Sequence, residues 1–404
     1  MQMRDVIIVG AGPAGLSAAI ACRKWDLDVL VIDEFPKPGG RLLGQLHQEP
    51  NGEWWNGIKE TNLLLDQTTA LDTDIRCGIS VHHVEKTEDR FDVYTSNGVF
   101  QAKNVLIATG AAESSAPIPG WTLPGVMSIG AAQVMTNIHR VRVGNKGIVI
   151  GVNVLSAAIA RELQLAGIKL DSMMLPAKNA VTNDHGDPKK VMEGLSRIAH
   201  LAPSAFLRFG GKLAKADWVR QLAVTFFPKR GVKMWGMPIH IRKAAVEING
   251  EEKVESVTVC DISPDGKPIP GSWETINVDF VCIAGGLYPL AELAAVIGCP
   301  FQYIEELGGH VPVHNEQMKT PIDGLYVAGN ITGIESAKVA SAQGTVAGLS
   351  IAKNMWQHTD IDHKVNEAIQ QVKKIRQNAS IQFHPGINEG RIKMERAFQK
   401  LHTG

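Results

Sequence analysis

Apolar runs and turn-forming residues alternate along the chain in a regular order. Residues 6–9 are an unbroken apolar run, of the kind found in strands buried on both faces of a parallel sheet. They lead into Gly10-Ala-Gly12-Pro13-Ala14-Gly15, then small apolar residues from 16 to about 25, then a second apolar run at 29–32 that ends at Asp33. This order predicts strand, turn, helix and strand. Gly10 permits the tight turn, Gly12 lets the backbone approach a pyrophosphate, and Gly15 lets the helix pack close to the strand. The helix amino terminus then faces the phosphates, and Asp33 stands where a ribose would donate hydrogen bonds. The whole stretch is a βαβ nucleotide fingerprint.

The loop after Asp33 runs Glu34-Phe-Pro-Lys-Pro-Gly-Gly40-Arg41 and leaves the carboxyl end of a strand, the edge where open α/β sheets bind ligands. Arg41 is a candidate phosphate contact, and Gln45 and His47 are candidates for a bound ring. A helix is expected at 57–71, strands at 79–84 and 90–95, a hairpin turn at Asn97-Gly98, and a buried strand ending at Thr109-Gly110. His82 and His83 are adjacent on a strand and point to opposite faces, so no metal site is expected there. Residues 117–125, rich in proline and glycine, suggest a domain crossing.

From residue 147 the opening pattern returns: a strand to Gly151, a helix at 155–165, a strand at 168–175. This is an internal duplication, worn where nucleotide chemistry needs it. Asn153 replaces the glycine of the pyrophosphate approach, and the second strand ends Leu175-Pro176 with no acid. Nucleotide binding is therefore expected mainly at the first copy. Residues 183–235 mix cations and aromatics (Phe206, Arg208, Trp218, Arg220, Phe226, Phe227) and are expected to be core plus a solvated face. Strands follow at 238–260, with turns at Asn249-Gly250 and Asp265-Gly266, and residues 278–286 echo 105–110. Near the end, residues 323–333 form a strand and turn, and a helix begins at about Ala337-Lys338. Ile361, Val365, Ile369, Val372 and Ile375 stand at helical spacing, so that stretch needs an apolar partner in this chain or in another subunit. By pattern alone the polar residues 381–404 are uninformative.

At 404 residues the chain can hold two or three domains, and 44% apolar with 20% charged residues is the balance of a globular protein. Lysine plus arginine (41) equals aspartate plus glutamate (41), so no global charge draws the protein to nucleic acid or an anionic membrane. The first strand starts at residue 5, which leaves no room for a signal peptide, and Arg23-Lys24 interrupt the apolar stretch before it could span a membrane. Five scattered cysteines suggest reduced thiols in a cytoplasmic protein. The nearest two, Cys282 and Cys299, are seventeen apart, so a redox-active Cys-x-x-Cys is absent.

The opening fingerprint, the Ala-Thr109-Gly110 strand end, the internal copy and Leu-Tyr-Val-Ala-Gly329-Asn330 stand in one order. In that order the chain resembles the pyridine-nucleotide–disulfide-reductase-like flavoproteins over residues 1–352. The stretch Pro119-Gly-Trp-Thr-Leu-Pro-Gly-Val-Met127, with Gly130-Ala-Ala-Gln133, is similar to the alpha-type subunits of heteromeric sarcosine oxidase, proline and hydroxyproline dehydrogenases, opine oxidases and hydrogen cyanide synthase. The resemblance implies an α/β fold with two Rossmann-like nucleotide-binding domains, the second inserted into the first, plus a C-terminal helical tail. Its domains would be 1–118 and 278–352 for FAD, 119–277 for a degraded NAD(P)-type fold, and 353–404 for the tail.

The implied cofactor is FAD, or another adenine nucleotide in the same site, held by Gly10, Gly12, Pro13, Ala14, Gly15, Asp33, Glu34, Gly40, Arg41, Val84, Thr109, Gly110, Gly329, Asn330 and Lys338. Asn330 stands where the family has an acid, and Lys338 would add a cation at the start of a helix aimed at the flavin N1–C2 edge. The implied partner is a glycine-oxidase-like beta subunit, with FMN at the interface between the two. No iron–sulfur segment is expected, since no cysteine follows Cys299. No residue stands out as a catalytic base. The alternative activity is a stand-alone FAD-dependent NAD(P)H oxidoreductase without a redox-active disulfide.

Overall fold

The computed structural model describes residues 3–49, 52–197, 217–356, 359–379, 383–384 and 386–403. Phe206 and Arg208 lie outside the described residues. The chain divides into two units: one is Met1–Gln45, Asn56–Ala112 and Leu287–Gly404, the other Leu46–Trp55 and Glu113–Gly286.

The first unit opens with β1 (Arg4–Val9), α1 (Pro13–Arg23) and β2 (Val29–Asp33). It continues through α2 (Gly57–Ala70), β3 (Asp74–Cys77), β4 (Val81–Lys86), β5 (Phe91–Thr95) and β6 (Gly98–Ile107). The sheet order is β3-β2-β1-β6-β5-β4. β3, β2, β1 and β6 run parallel; on the β6 side β5 pairs antiparallel with β6, and β4 pairs antiparallel with β5. The unbroken apolar runs follow from burial on both faces. Val6, Ile8, Val29 and Val31 enter the core beneath α1, while Ile7, Val9, Leu30 and Ile32 enter a second core on the opposite face.

The second unit repeats the plan. β7 (Val126–Ser128) and α3 (Ile129–Gln133) precede β8 (Lys146–Ile150), α4 (Val154–Leu165) and β9 (Lys169–Pro176). Helices α5 (Pro188–Arg197) and α6 (Asp217–Thr225) come next, then β10 (Val232–Met234), β11 (Met237–Asn249), β12 (Ser256–Asp261), β13 (Glu274–Asn277) and β14 (Phe280–Ile283). The sheet order is β7-β14-β8-β9-β11-β12-β13, with β10 paired to β11. The turn-rich residues 117–125 lie inside this unit: Ala116 and Ile118 are buried in its core, and Pro119 O accepts from Ile248 N–H. The change of unit falls earlier, between Ala112 and Glu113.

The chain returns to the first unit with the hairpin β15 (Phe301–Ile304) and β16 (Gly309–Pro312), then β17 (Leu325–Val327), which pairs parallel with β6. α7 (Ala337–Trp356) crosses α1 so closely that a side chain at Gly344 would overlap the Ala14 carbonyl. α8 (Thr359–Gln377) buries Ile361, Val365, Ile369 and Val372 in the core beneath α1. The apolar partner its spacing demands is thus this chain's own first unit. A last helix, α9 (Ile387–Thr403), completes the helical C-terminal tail, burying Ile387 and Met394 against Ile304, Leu307, Val311 and Val313 of the small hairpin.

Candidate nucleotide-binding site

At the end of β1 the chain turns at Gly10, whose φ of +108° is in the left-handed region open to glycine. A side chain there would also overlap the Ala108 carbonyl of the neighbouring strand end. Gly12 is the N-cap of α1 and offers no side-chain hydrogen bond, and Pro13 begins the helix without an N–H to satisfy. A Cβ built on Gly12 meets nothing within 4 Å. The start of α1 is therefore without a side-chain cap, with clear space beside Gly12 and the helix dipole behind it. That is the environment an anionic diphosphate needs.

Asp33 braces this turn from beneath. Its Oδ2 accepts from Ala11 N–H at 2.5 Å and its Oδ1 from Phe35 N–H at 2.8 Å. Burial raises the carboxyl above its ordinary range, and the two backbone bonds oppose that shift. Asp33 thus shapes the turn as well as standing near a ribose, and the exposed Glu34 follows it. Gly39 N–H donates to Ala11 O at 2.8 Å, and a Cβ on Gly40 would lie 3.3 Å from Gly12 Cα. Arg41 is exposed on the same short 3₁₀ turn, Gly40–Gly44. On the far side, Thr109 Oγ1 donates to Leu290 O at 2.6 Å, and Gly110 carries a φ of +81°.

The loop after β17 closes over the start of α1. A Cβ on Gly329 would stand 2.9 Å from Ala14 Cβ and 3.7 Å from Ala340 Cβ, so this loop and the first turn of α7 meet the turn after β1. Gly329 N–H donates to Gln343 Oε1 at 3.0 Å, and Asn330 Oδ1 accepts from Glu335 N–H at 3.2 Å. Lys338 is exposed on that first turn of α7.

The structure therefore brings together Gly10, Gly12, Ala14, Gly40, Thr109 and Gly329. Val84 differs from the rest: its side chain is fully buried opposite Val93, so only its backbone can meet a ligand. Gln45 ends the first unit, its carbonyl accepting from Gly57 N–H, whereas His47 belongs to the second unit, where it lies beside Trp55.

A buried polar cluster, absent from the sequence-based expectations, holds the 329–335 loop from below. Glu335 receives Arg376 Nε at 2.5 Å on one oxygen and Arg391 at 2.5 Å on the other. Arg391 also donates to Thr332 O at 2.8 Å and lies 3.2 Å from His314 Nε2. Burial acts to raise the Glu335 carboxyl, but the Arg391 and Arg376 guanidiniums together outweigh it and hold it below its usual range. Burial and the neighbouring Arg391 push the His314 imidazole down to about 3, so it is neutral at ordinary pH. No local sequence signal exposes this cluster, because its members come from α8, α9 and two loops.

The second turn starts on the same kind of glycine and has the opposite finish. Gly151 has a φ of +113°, and a side chain on it would overlap the Ala284 carbonyl. Position by position, Asn153 stands where Gly12 does and Ser156 where Gly15 does. Asn153 Oδ1 accepts from Ser156 N–H at 2.8 Å, and Ser156 Oγ accepts from Asn153 N–H at 2.9 Å. Asn153 Nδ2 reaches Ala284 O at 3.3 Å. This capping box spends on the chain's own side chains the donors that a diphosphate would use. Where Asp33 stands in the first copy, the second has the buried Leu175.

Residues 4–201 match the family of pyridine nucleotide-disulphide oxidoreductases. The chain has that family's fold. The opine oxidase A subunit of Agrobacterium tumefaciens (strain Ach5) is 27% identical over 368 residues, 86% of this chain and 65% of the relative; its Rhizobium meliloti counterpart is 26% identical, with 62% of its length covered. The chain thus spans under two thirds of these relatives. Among solved structures, L-proline dehydrogenase from P. horikoshii superposes with a TM-score of 0.63 at 21% identity, covering 91% of this chain and 59% of that one. Thioredoxin reductase from T. acidophilum superposes with a TM-score of 0.61 at 21% identity, covering 88% and 99%. In this chain all five cysteines are free, and burial pushes Cys22, Cys282 and Cys299 up to about 12. The fold is shared with the reductases.

Proposed function

We propose that this chain holds FAD at the Gly10–Gly15 turn and serves as the alpha-type subunit of a heteromeric flavin dehydrogenase. The substrate would be an amine or imino acid of the sarcosine, proline, hydroxyproline or opine class, oxidised at its CH–NH bond. The observation that carries this reading is the contrast between the two turns: the first helix terminus is open and the second is closed by its own cap. The similarity to proteins named as oxidase subunits supports the heteromer.

The residues present fit the cofactor. The uncapped start of α1 and the clear space above Gly12 suit the pyrophosphate, with Arg41 able to add a cation. Glu34 and the remaining lone pairs of Asp33 suit the adenosine ribose. Because Glu335 N–H occupies Asn330 Oδ1, the Asn330 amide is turned to donate from Nδ2, which suits a phosphate or ribityl oxygen. Bound there, the flavin would supply the hydride acceptor. The chain's own part is to hold it, exclude water and present positive charge through Lys338 and the start of α7. A beta subunit resembling glycine oxidase would carry the amine site, and FMN would lie at their interface. Five free thiols suit a cytoplasmic protein, and no helix among the described residues is long and apolar enough to cross a membrane.

The test is the nucleotide released on heating the purified chain, together with its visible spectrum. FAD in equal amount to protein, not bleached by NADPH, is the expected result. ATP or NAD in its place, or rapid bleaching by NADPH, overturns the proposal. Lys338→Met should lower the flavin midpoint potential, and an unchanged potential removes Lys338 from the cofactor's surroundings.

A further inference from the structure

Helix α6 is apolar on both faces. Val224 is fully buried and Phe227 packs partly against the second unit's core. Facing away, Trp218, Leu222 and Phe226 are 69%, 47% and 78% exposed, spaced four residues apart on one stripe. Arg242 caps the end of the helix, donating to Val224 O and Thr225 O at 3.1 Å, so the stripe is held on a fixed element. Directly after it, Lys229, Arg230 and Lys233 are exposed. From Trp218 to Val246 the chain carries six lysines and arginines and no acid, within a protein whose total charge is zero. Lys243 is paired with Glu274 at 2.7 Å and Arg242 is held by backbone carbonyls, so the exposed Lys229, Arg230 and Lys233 carry the local charge.

We infer that this face of the second unit docks the protein on an anionic lipid bilayer. The charge pattern decides between a membrane and a second polypeptide. Protein interfaces are depleted of lysine and of charge at their centres. Tryptophan and phenylalanine beside a lysine- and arginine-rich rim are what a peripheral protein presents to the headgroup–acyl boundary. A chain with no global charge reaches such a surface only through a local field, and residues 218–246 supply one. Docking there brings the flavin protein to the phase that dissolves apolar electron acceptors. The inference does not depend on which nucleotide the first unit holds.

The experiment is co-sedimentation of the full protein, with any co-purifying subunit, with vesicles of phosphatidylcholine alone or mixed equally with phosphatidylglycerol. Binding to the mixed vesicles, weak binding to the neutral ones, and release by high salt are expected. Charge reversal in K229E/R230E/K233E should weaken binding by on the order of a hundredfold. W218A/F226A should weaken it by on the order of tenfold or more without changing the salt dependence. All five residues are exposed, and unchanged nucleotide content verifies that each variant is folded. Three results overturn the inference: wild-type protein that does not sediment with anionic vesicles, binding that both variants retain, or variants that keep vesicle binding but shed a co-purifying subunit.

Discussion

The two glycine turns begin alike and end differently. Gly10 and Gly151 adopt nearly the same positive φ, and a side chain on either would strike the carbonyl of the adjacent strand end. The difference lies two residues on. Gly12 leaves the start of α1 without a side-chain cap, whereas Asn153 and Ser156 cap α4 reciprocally. A helix terminus in a folded protein must satisfy its donors somehow. One copy satisfies them internally and is finished as structure; the other, on the proposed function, leaves them for a ligand. Loss of a glycine in a duplicated turn is thus better described as replacement of a ligand by a cap.

The largest effect should come from making the open copy resemble the closed one. Gly12 has an ordinary φ of −75° and clear space beside it, so Gly12→Asn should fold normally. Its side chain should then occupy the donors of α1 and weaken cofactor binding by about 3–6 kcal/mol, the worth of two charge-assisted hydrogen bonds. Titration of the apoprotein with FAD measures this. Undiminished affinity would show that the open terminus does not bind the diphosphate.

Next comes the brace that supports only the open copy. Arg391→Met strands Glu335 with half its partners and should cost about 3–5 kcal/mol of stability in urea unfolding. It should also raise cofactor loss on gel filtration, because Thr332 and Asn330 lose their anchor. A variant as stable as the parent would mean the cluster is an incidental ion pair.

A third test separates the units by pH. In the second unit Glu162 is buried, accepting from Leu46 N–H, Gln133 and Asn137, and burial pushes its carboxyl up to about 7 against those three bonds. Since the folded value lies above the unfolded one, its stabilising contribution is complete below about pH 4.5 and is lost as pH rises through 7. The expected change is about 3 kcal/mol. His314 in the first unit has the opposite sign: its contribution is present above pH 6.5 and is lost as pH falls toward 3. Denaturation of Glu162→Gln at pH 5 and pH 8 should show the parent's decline flattened, and an equal decline in both proteins would assign it elsewhere.

The smallest effect is the cap itself. Asn153→Ala should cost the second unit about 1 kcal/mol and leave the cofactor content of the protein untouched. A change in bound nucleotide would mean that the second turn still takes part in binding.

What was legible in the sequence follows from range. The β1–α1–β2 stretch, the worn copy at Gly151 and the helix at Ala337 are set by neighbouring residues, and their patterns survive in a one-dimensional reading. Asn153 was legible as a missing glycine, but its role as a cap depends on Ser156 and on Ala284, far along the chain. The Glu335 cluster joins residues 41, 56 and more positions apart, with no periodicity to betray it. The helical tail followed from the family resemblance, whereas the pattern of α9 alone was uninformative because its few apolar residues, Ile387, Met394 and Phe398, are diluted by charge. The amphipathic stretch of α8 was legible as needing a partner, and only packing could identify that partner as α7 and the core beneath it.

Arg391 also sets a clock on biosynthesis. It lies 379 residues after Gly12, so at roughly 5–20 residues per second a ribosome takes roughly 20–80 s between making the turn and making its brace. For most of that interval α1 has neither α7 across it nor the Thr332 loop above it, while the second unit, complete at Gly286, can already pack. On the proposed function, cofactor capture comes late, and a chain interrupted before the Thr332 loop should carry a finished second unit and an empty first one.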